Sequence, residues 1–239
     1  MSRSLSFPRQ LGIAARWPLG VALTSWRYLW RTTPLHRSEH EGSLPLDACP
    51  ALPAGVEPTG IQRPEDGMGP LFHRIYSTRI RTSRLSERGL MARIQAEPDA
   101  ASPSEFATFR KTRGEAGQMR LGDEYVVRMA GPWDGPVRVI GVSAAAFRLA
   151  TLDGHLEAGQ IEFSVAEVDD REIEFRIESW ARSGDALSNL LYTHLRMAKE
   201  IQFHMWTSFL EHAADLAGGR MTGGIHADTR RVGDPQHAR

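Results

Sequence analysis

The chain is poor in cysteine, lysine and long apolar runs. Cys49 is the only cysteine among 239 residues, which excludes an internal disulfide and a cysteine-built zinc site. It lies between Ala48 and Pro50 with no base close in sequence, so it reads as an unreactive thiol in a reducing, cytoplasmic setting. No stretch reaches the ~18–20 apolar residues that a bilayer-spanning helix needs. Lysine occurs only at Lys111 and Lys199, so the other 27 of the 29 basic residues are arginine, and 29 acidic residues balance them. That balance excludes a chain-wide basic footprint for nucleic acid. A Gly-x-Ser-x-Gly elbow, a phosphate loop and a dinucleotide fingerprint are all absent. His36/His40 and Glu200/His204 are four residues apart, but neither has a second pair to complete a metal site. Neither a metal nor another cofactor is expected.

Residues 1–41 form a basic, Trp-rich segment. Its first 38 residues hold Arg3, Arg9, Arg16, Arg27, Arg31 and Arg37 and no acid. Leu19, Ala22, Leu23, Trp26 and Trp30 share one helical face after Pro18, with Arg27 and Arg31 beside it. Such a helix suits either a membrane interface, with Trp17, Trp26, Trp30, Arg27 and Arg31 as contacts, or docking on the main domain. Arg9 and Arg16 interrupt its apolar residues, so it does not read as a secretory signal. Residues 42–68 are rich in Pro and Gly without periodicity and read as a linker or a wrapped irregular segment. Residues 219–239 read as a disordered tail behind the helix stop Gly218-Gly219.

The domain lies between, at 69–218. Leu71–Arg81 reads as a strand, then Glu87–Gln95 and Pro103–Lys111 as two short helices. Strands follow at Glu124–Met129, Val137–Val142, Ala146–Leu152, Gln160–Val168 and Arg171–Trp180, with Asp169-Asp170 as a hairpin turn. Their alternation is one-sided. Tyr125, Val127 and Met129 share a face, as do Ile161, Phe163 and Val165, and Ile173, Phe175 and Ile177. The opposite face carries Arg128, Arg138, Arg148, Glu162, Glu174, Arg176 and Glu178, which reads as a solvated field of charges. One helix then runs from Asp185 to Ala217, about 45 Å at 1.5 Å per residue. Its apolar arc is wider than one sheet can cover, which calls for a second cover; the Trp-rich segment is the natural candidate. The expected fold is α+β: an antiparallel curved sheet of about six strands, two short helices after the first strand, and a long C-terminal helix packed across the sheet.

Three stretches carry a resemblance. Gly131-Pro132-Trp133-Asp134-Gly135-Pro136-Val137-Arg138-Val139, the run Phe147–Phe163 with its Thr151-Leu152, Gly154-His155, Glu157-x-Gly159 and Glu162-Phe163 elements, and Ile177–Arg182 are together similar to a bacterial and plant domain-of-unknown-function family, number nineteen-ninety. The likeness spans roughly Gly69–Gly218. The chain has Leu156 where the family often has Pro, and Ile161-Glu162 where it often has two acids. The family's fold resembles the START-like, helix-grip superfamily. That implies a cavity between sheet and helix and no single chemistry.

The residues that would line such a cavity are Tyr125, Phe163, Phe175, Met205 and Phe209, with His155, Glu157 and His194 as polar groups. Binding of an apolar or amphipathic small molecule is the leading expectation. His155 and Glu157 alternatively fix their loop by hydrogen bonds, and His194 is alternatively a satisfied core histidine. As acid–base equipment, His155, Glu157 and His194 would suit a cyclase, dehydratase or hydrolase. A membrane-peripheral protein acting through residues 1–38 is the third reading.

Overall fold

The computed structural model describes residues 33–102, 107–129, 134–184 and 197–233. The alternating segments pair into one nine-stranded sheet. Its strands are β1 (Leu35–Glu41), β2 (Met68–Arg81), β3 (Ala107–Arg113), β4 (Glu124–Met129), β5 (Asp134–Val142), β6 (Ala146–Thr151), β7 (Glu157–Asp169), β8 (Glu172–Ser183) and β9 (Arg220–Val232), in the order β1-β9-β2-β8-β7-β6-β5-β4-β3. All pairs are antiparallel except β1 with β9. Among the described residues, two α-helices accompany the sheet, α1 (Glu87–Ala96) and α2 (Met197–Leu216); the expected helix start at 185–196 lies outside them.

Local chemistry sets the helix ends. Ser86 caps α1 by accepting from the Gly89 N–H at 3.2 Å, which satisfies one of the orphan donors of the first turn. α2 stops at Gly218, whose φ of +62° is open to glycine at little cost. There the N–H groups of Gly218 and Gly219 return to the carbonyls of Asp215 and Ala214, and the Thr82 hydroxyl takes the Ala217 carbonyl at 2.8 Å.

The inner face of the sheet carries the inward residues of the alternation. Tyr76, Ile80, Tyr125, Val127, Val139, Phe147, Leu149, Phe163, Val165, Phe175 and Ile177 meet α1 and α2 in one core. Residues Phe203 to Leu210 of α2 are buried without interruption. His204 is therefore inside, not on the polar side that a helical wheel assigns to it. Continuous burial is what the wide apolar arc predicts, since a sheet faces only one side of a helix.

Several expectations are corrected. The sheet has nine strands rather than about six, and one α-helix follows the first long strand rather than two. Ala107–Lys111 is strand, not helix: Ala107 and Phe109 alternate inward against β4, and period-two burial overrides the helix-start signal of Ser102-Pro103-Ser104. Arg220–Val232 is not a tail. It is a strand inserted between β1 and β2, with Ile225 and Ala227 inward. Leu35–Glu41, assigned to the N-terminal segment, forms the parallel edge strand beside it. Residues 1–32 of that segment, with Trp17, Trp26, Trp30, Arg27 and Arg31, lie outside the described residues.

The outer face is not simply solvated. Residues 42–67 strap across it. Ile61 packs on Ile140 and Ala150, with Leu52, Val56 and Leu152 around them. Arg138 donates to the Glu57 and Thr59 carbonyls at 3.0 and 2.8 Å, and Gln160 to the Pro50 carbonyl at 2.8 Å. The Arg/Glu field beneath is partly covered and internally paired. Arg138 meets Glu124 at 2.7 Å, and Arg148 meets Glu162.

Candidate ligand site

The centre of the space between sheet and α2 is filled. Phe163 stacks on Phe147 with centroids 4.6 Å apart and meets Trp206 at 5.5 Å and Phe209 at 5.2 Å. Phe209 meets Phe175 at 5.9 Å. These rings and Met205 are buried. Four of the expected pocket residues, Phe163, Phe175, Met205 and Phe209, thus pack in one core, three of them ring to ring. Tyr125 lies apart on β4. It faces Phe109 and Lys111, with the Lys111 ammonium 5.1 Å from its ring centroid and 2.6 Å from Asp123. Burial raises the Tyr125 pKa, and Lys111 offsets only part of that.

A polar cluster breaks the apolar inner face at the N-terminal side of α2. Arg74 of β2 is buried and points inward, since it shares parity with Tyr76, Thr78 and Ile80. Its guanidinium lies 3.5 Å from the Glu157 carboxylate of β7 and 4.7 Å from the Phe72 ring centroid. Glu157 also accepts from the Gln202 amide of α2 at 2.9 Å. The wall beside this pair is short-chained. Ser179 lies in register with Arg74, and Ala181 with Gly159. The Ser179 hydroxyl is buried without a hydrogen-bond partner among the described residues.

His155 sits beside this cluster in a supporting position. Its Nδ1 accepts the Glu157 backbone N–H at 2.9 Å, so in the neutral ring the proton sits on Nε2. Burial pushes its pKa below the usual histidine range, and Glu157 recovers only part of that. The ring fixes the turn into β7, while Glu157 turns its carboxylate to Arg74 and Gln202. His194 lies outside the described residues. Arg74, Gln202 and Ser179 were not singled out in the sequence. Extending the β2 parity back from Ile80 through Tyr76 to Arg74 would have exposed a charge on an apolar face.

On the outer face, His73 bridges two carboxylates. Its Nδ1 is 2.8 Å from Asp47 of the strap, and its Nε2 is 2.7 Å from Glu178 of β8. Trp180 stacks on the ring at 5.2 Å. Arg230 reaches Asp47 at 3.2 Å and Arg176 reaches Glu178 at 2.8 Å. Burial alone would lower the His73 pKa, but the bonds to Glu178 and Asp47 outweigh it and hold it above the usual value. Burial would raise both carboxylates, yet hydrogen bonds from His73 above all, with Arg230 and the Ser43 N–H for Asp47 and Arg176 for Glu178, hold them low. The three groups form a charged clamp between strap and sheet. Cys49 packs nearby on Leu71, Trp180 and Val232, and burial pushes its thiol up to about 12. Among the described residues, no group of three or more His, Cys, Asp or Glu is placed to hold a metal ion, and no helix is long and apolar enough to cross a membrane.

The chain is thus a sheet-dominated α+β protein whose curved sheet packs a C-terminal helix, with an ion pair of buried Arg74 and half-buried Glu157 between them. Residues 103–210 match the model of the family described as Domain of unknown function (DUF1990), the family that the motifs from Gly131 to Arg182 resemble. No curated protein sequence matches the chain. Solved structures to which the chain is similar include norcoclaurine synthase from Thalictrum flavum in complex with dopamine and hydroxybenzaldehyde, at 9% identity over 70% of this chain and 96% of that one, with a TM-score of 0.46. A conserved protein from Geobacillus kaustophilus matches at 9% identity over 62% of this chain and 98% of that one, TM-score 0.45. The major latex-like protein 151 of Panax ginseng matches at 14% identity over 57% and 99%, TM-score 0.37.

Proposed function

We propose that the protein binds a small, largely apolar molecule bearing an uncharged polar group, held between sheet and helix at the N-terminal side of α2. The observation that carries this reading is buried Arg74, paired with half-buried Glu157 on an otherwise apolar face. Burying two charges costs several kcal/mol of desolvation per ion, and apolar residues of similar volume are often at least as stable there. A site of this kind is suited to a ligand that accepts from the guanidinium and donates to the carboxylate, such as a hydroxyl or carbonyl compound. Ser179 and Ala181 form a short-chained wall beside the pair, and the Ser179 hydroxyl, unpartnered among the described residues, offers a further polar contact. The packed centre around Phe163 and Phe209 limits the ligand's depth, so a long acyl chain threaded under the helix does not fit this reading.

Binding without chemistry is the favoured form. His155 Nδ1 is occupied by the Glu157 backbone N–H, and a general base needs a free ring nitrogen within reach of its substrate. The test uses an uncharged, largely apolar fluorescent probe, N-phenyl-1-naphthylamine, titrated into the full chain. The expected result is saturable binding that weakens at least about tenfold in Ser179→Phe, which fills the short wall. Ala181→Val, a smaller change on the same wall, guards against misfolding of the first variant. Probe binding that neither substitution alters would refute the site.

A further inference from the structure

A second site lies at the opposite end of the molecule, beyond the C-terminus of α2. A cleft of about 410 Å³ is lined by Arg81, Thr82, Ser83, Arg171, Gly218, Gly219 and Arg220. We infer that this cleft binds a phosphate-bearing anion through Arg81, Arg171 and Arg220.

Arg81 of β2 stands directly opposite Arg220 of β9 in the strand register. Like charges in directly opposed positions destabilise a sheet. A third cation joins them, because the Arg171 carbonyl accepts the Thr82 N–H at 2.9 Å and so fixes Arg171 at the rim. One carboxylate is shared by this group. Glu172 is nearly buried, accepts from Thr222 at 2.6 Å, and lies 3.7 Å from Arg81 and 4.0 Å from Arg79. Asp169 is turned to its own hairpin, where it accepts the Arg171 N–H at 2.9 Å. Among the described residues, the side chains of Arg171 and Arg220 have no carboxylate within ion-pair distance. The cluster therefore carries uncompensated positive charge around a concavity large enough for a small ligand.

The neighbouring helix end does not oppose this. A helix C-terminus presents carbonyls that would repel an anion. Here the Asp215 and Ala214 carbonyls are taken by Gly218 and Gly219, and the Ala217 carbonyl by Thr82. The Ser83 hydroxyl remains as a further donor at the rim. Guanidinium groups match phosphate oxygens in bidentate geometry better than ammonium groups do. Relief of the Arg81–Arg220 repulsion adds to the ligand's own contacts. The site is independent of the Arg74–Glu157 cluster, so either can fail without the other.

Inorganic pyrophosphate titrated into the full chain, with sodium chloride at matched ionic strength as control, tests the site. The expected result is one-site binding, with a rise in melting temperature that chloride does not reproduce. The double variant Arg171→Ala/Arg220→Ala changes only exposed side chains and should fold, and it should lose roughly tenfold in affinity per arginine removed. Flotation with phosphatidylcholine vesicles, with and without phosphatidic acid, separates the sources of the phosphate. Binding to pyrophosphate alone assigns a soluble phosphorylated compound, and binding to phosphatidic acid vesicles lost in the double variant assigns a lipid headgroup. No binding to either probe, or binding unchanged in the double variant, overturns the proposal.

Discussion

Replacing His73 with glutamine should loosen the strap from the outer face and flatten the alkaline side of the stability profile. The imidazole bridges Asp47 and Glu178 at 2.8 and 2.7 Å and is buried, as Asp47 is. Removing one partner of a buried charge pair costs about 3–5 kcal/mol. Arg230 and Arg176 stay behind to hold the two carboxylates, so the lower end, about 3 kcal/mol, is expected. In a chain of this size that corresponds to a fall in Tm of about 6–12 °C. The pH dependence follows from linkage. The folded pKa of His73 is raised above its ordinary value of 6.5, so its contribution is full below that value and is lost as pH rises through the folded pKa. The folded pKa values of Asp47 and Glu178 are depressed below 3.8 and 4.5. Their contribution is full above those values and is lost as pH falls through the folded ones. The clamp is therefore strongest between about pH 4.5 and 6.5. Calorimetric melts from pH 5 to 9 should show the wild type losing stability with rising pH, and His73→Gln losing much less. Hydrogen exchange should place the difference in residues 42–67. Parallel pH profiles for the two proteins, or a cost below about 1 kcal/mol, would refute the clamp.

Three further outcomes follow. Phe209→Ala should cost about 3–5 kcal/mol in denaturant unfolding, because its ring touches Phe163, Phe175 and Trp206 in a filled core; a much smaller cost would mean that the centre is open. The double substitution Arg74→Leu/Glu157→Leu should leave stability unchanged or raise it by about 1–4 kcal/mol while abolishing probe binding, since only the buried charges are removed; retained binding would count against their role. Deleting residues 1–32 should abolish flotation with anionic liposomes if that segment contacts membrane, and liposome binding equal to that of the full chain would exclude it.

Much of the sheet was legible because burial has period two. Tyr125/Val127, Phe163/Val165 and Phe175/Ile177 alternate cleanly with charges, and each such run is a strand. β9 escaped notice because the residues that mark its inner face, Met221, Ile225 and Ala227, are interrupted by Gly223-Gly224. Its place in the sheet comes from pairing with β1 and β2, which local sequence does not encode. β3 was misread for the opposite reason: the Ser/Pro/Glu cluster at 102–105 imitates a helix start. The strap illustrates a third limit, since irregular segments reveal their partners only in space. Asp47 carries no mark of the His73 it will meet. Within the site, Glu157 was visible as a polar residue near an expected cavity, while Arg74 was hidden inside a strand. The aromatic residues of the core are the same whether they line a space or fill it, and only their ring-to-ring distances decide.

We propose that a small molecule is held beside Arg74 and Glu157. Native mass spectrometry of the full chain, exposed to a cell lipid extract and re-isolated, addresses it most directly. The account predicts a one-to-one adduct that is absent from Arg74→Leu/Glu157→Leu. A bare chain mass in the wild type, or the same adduct on the double variant, would contradict it.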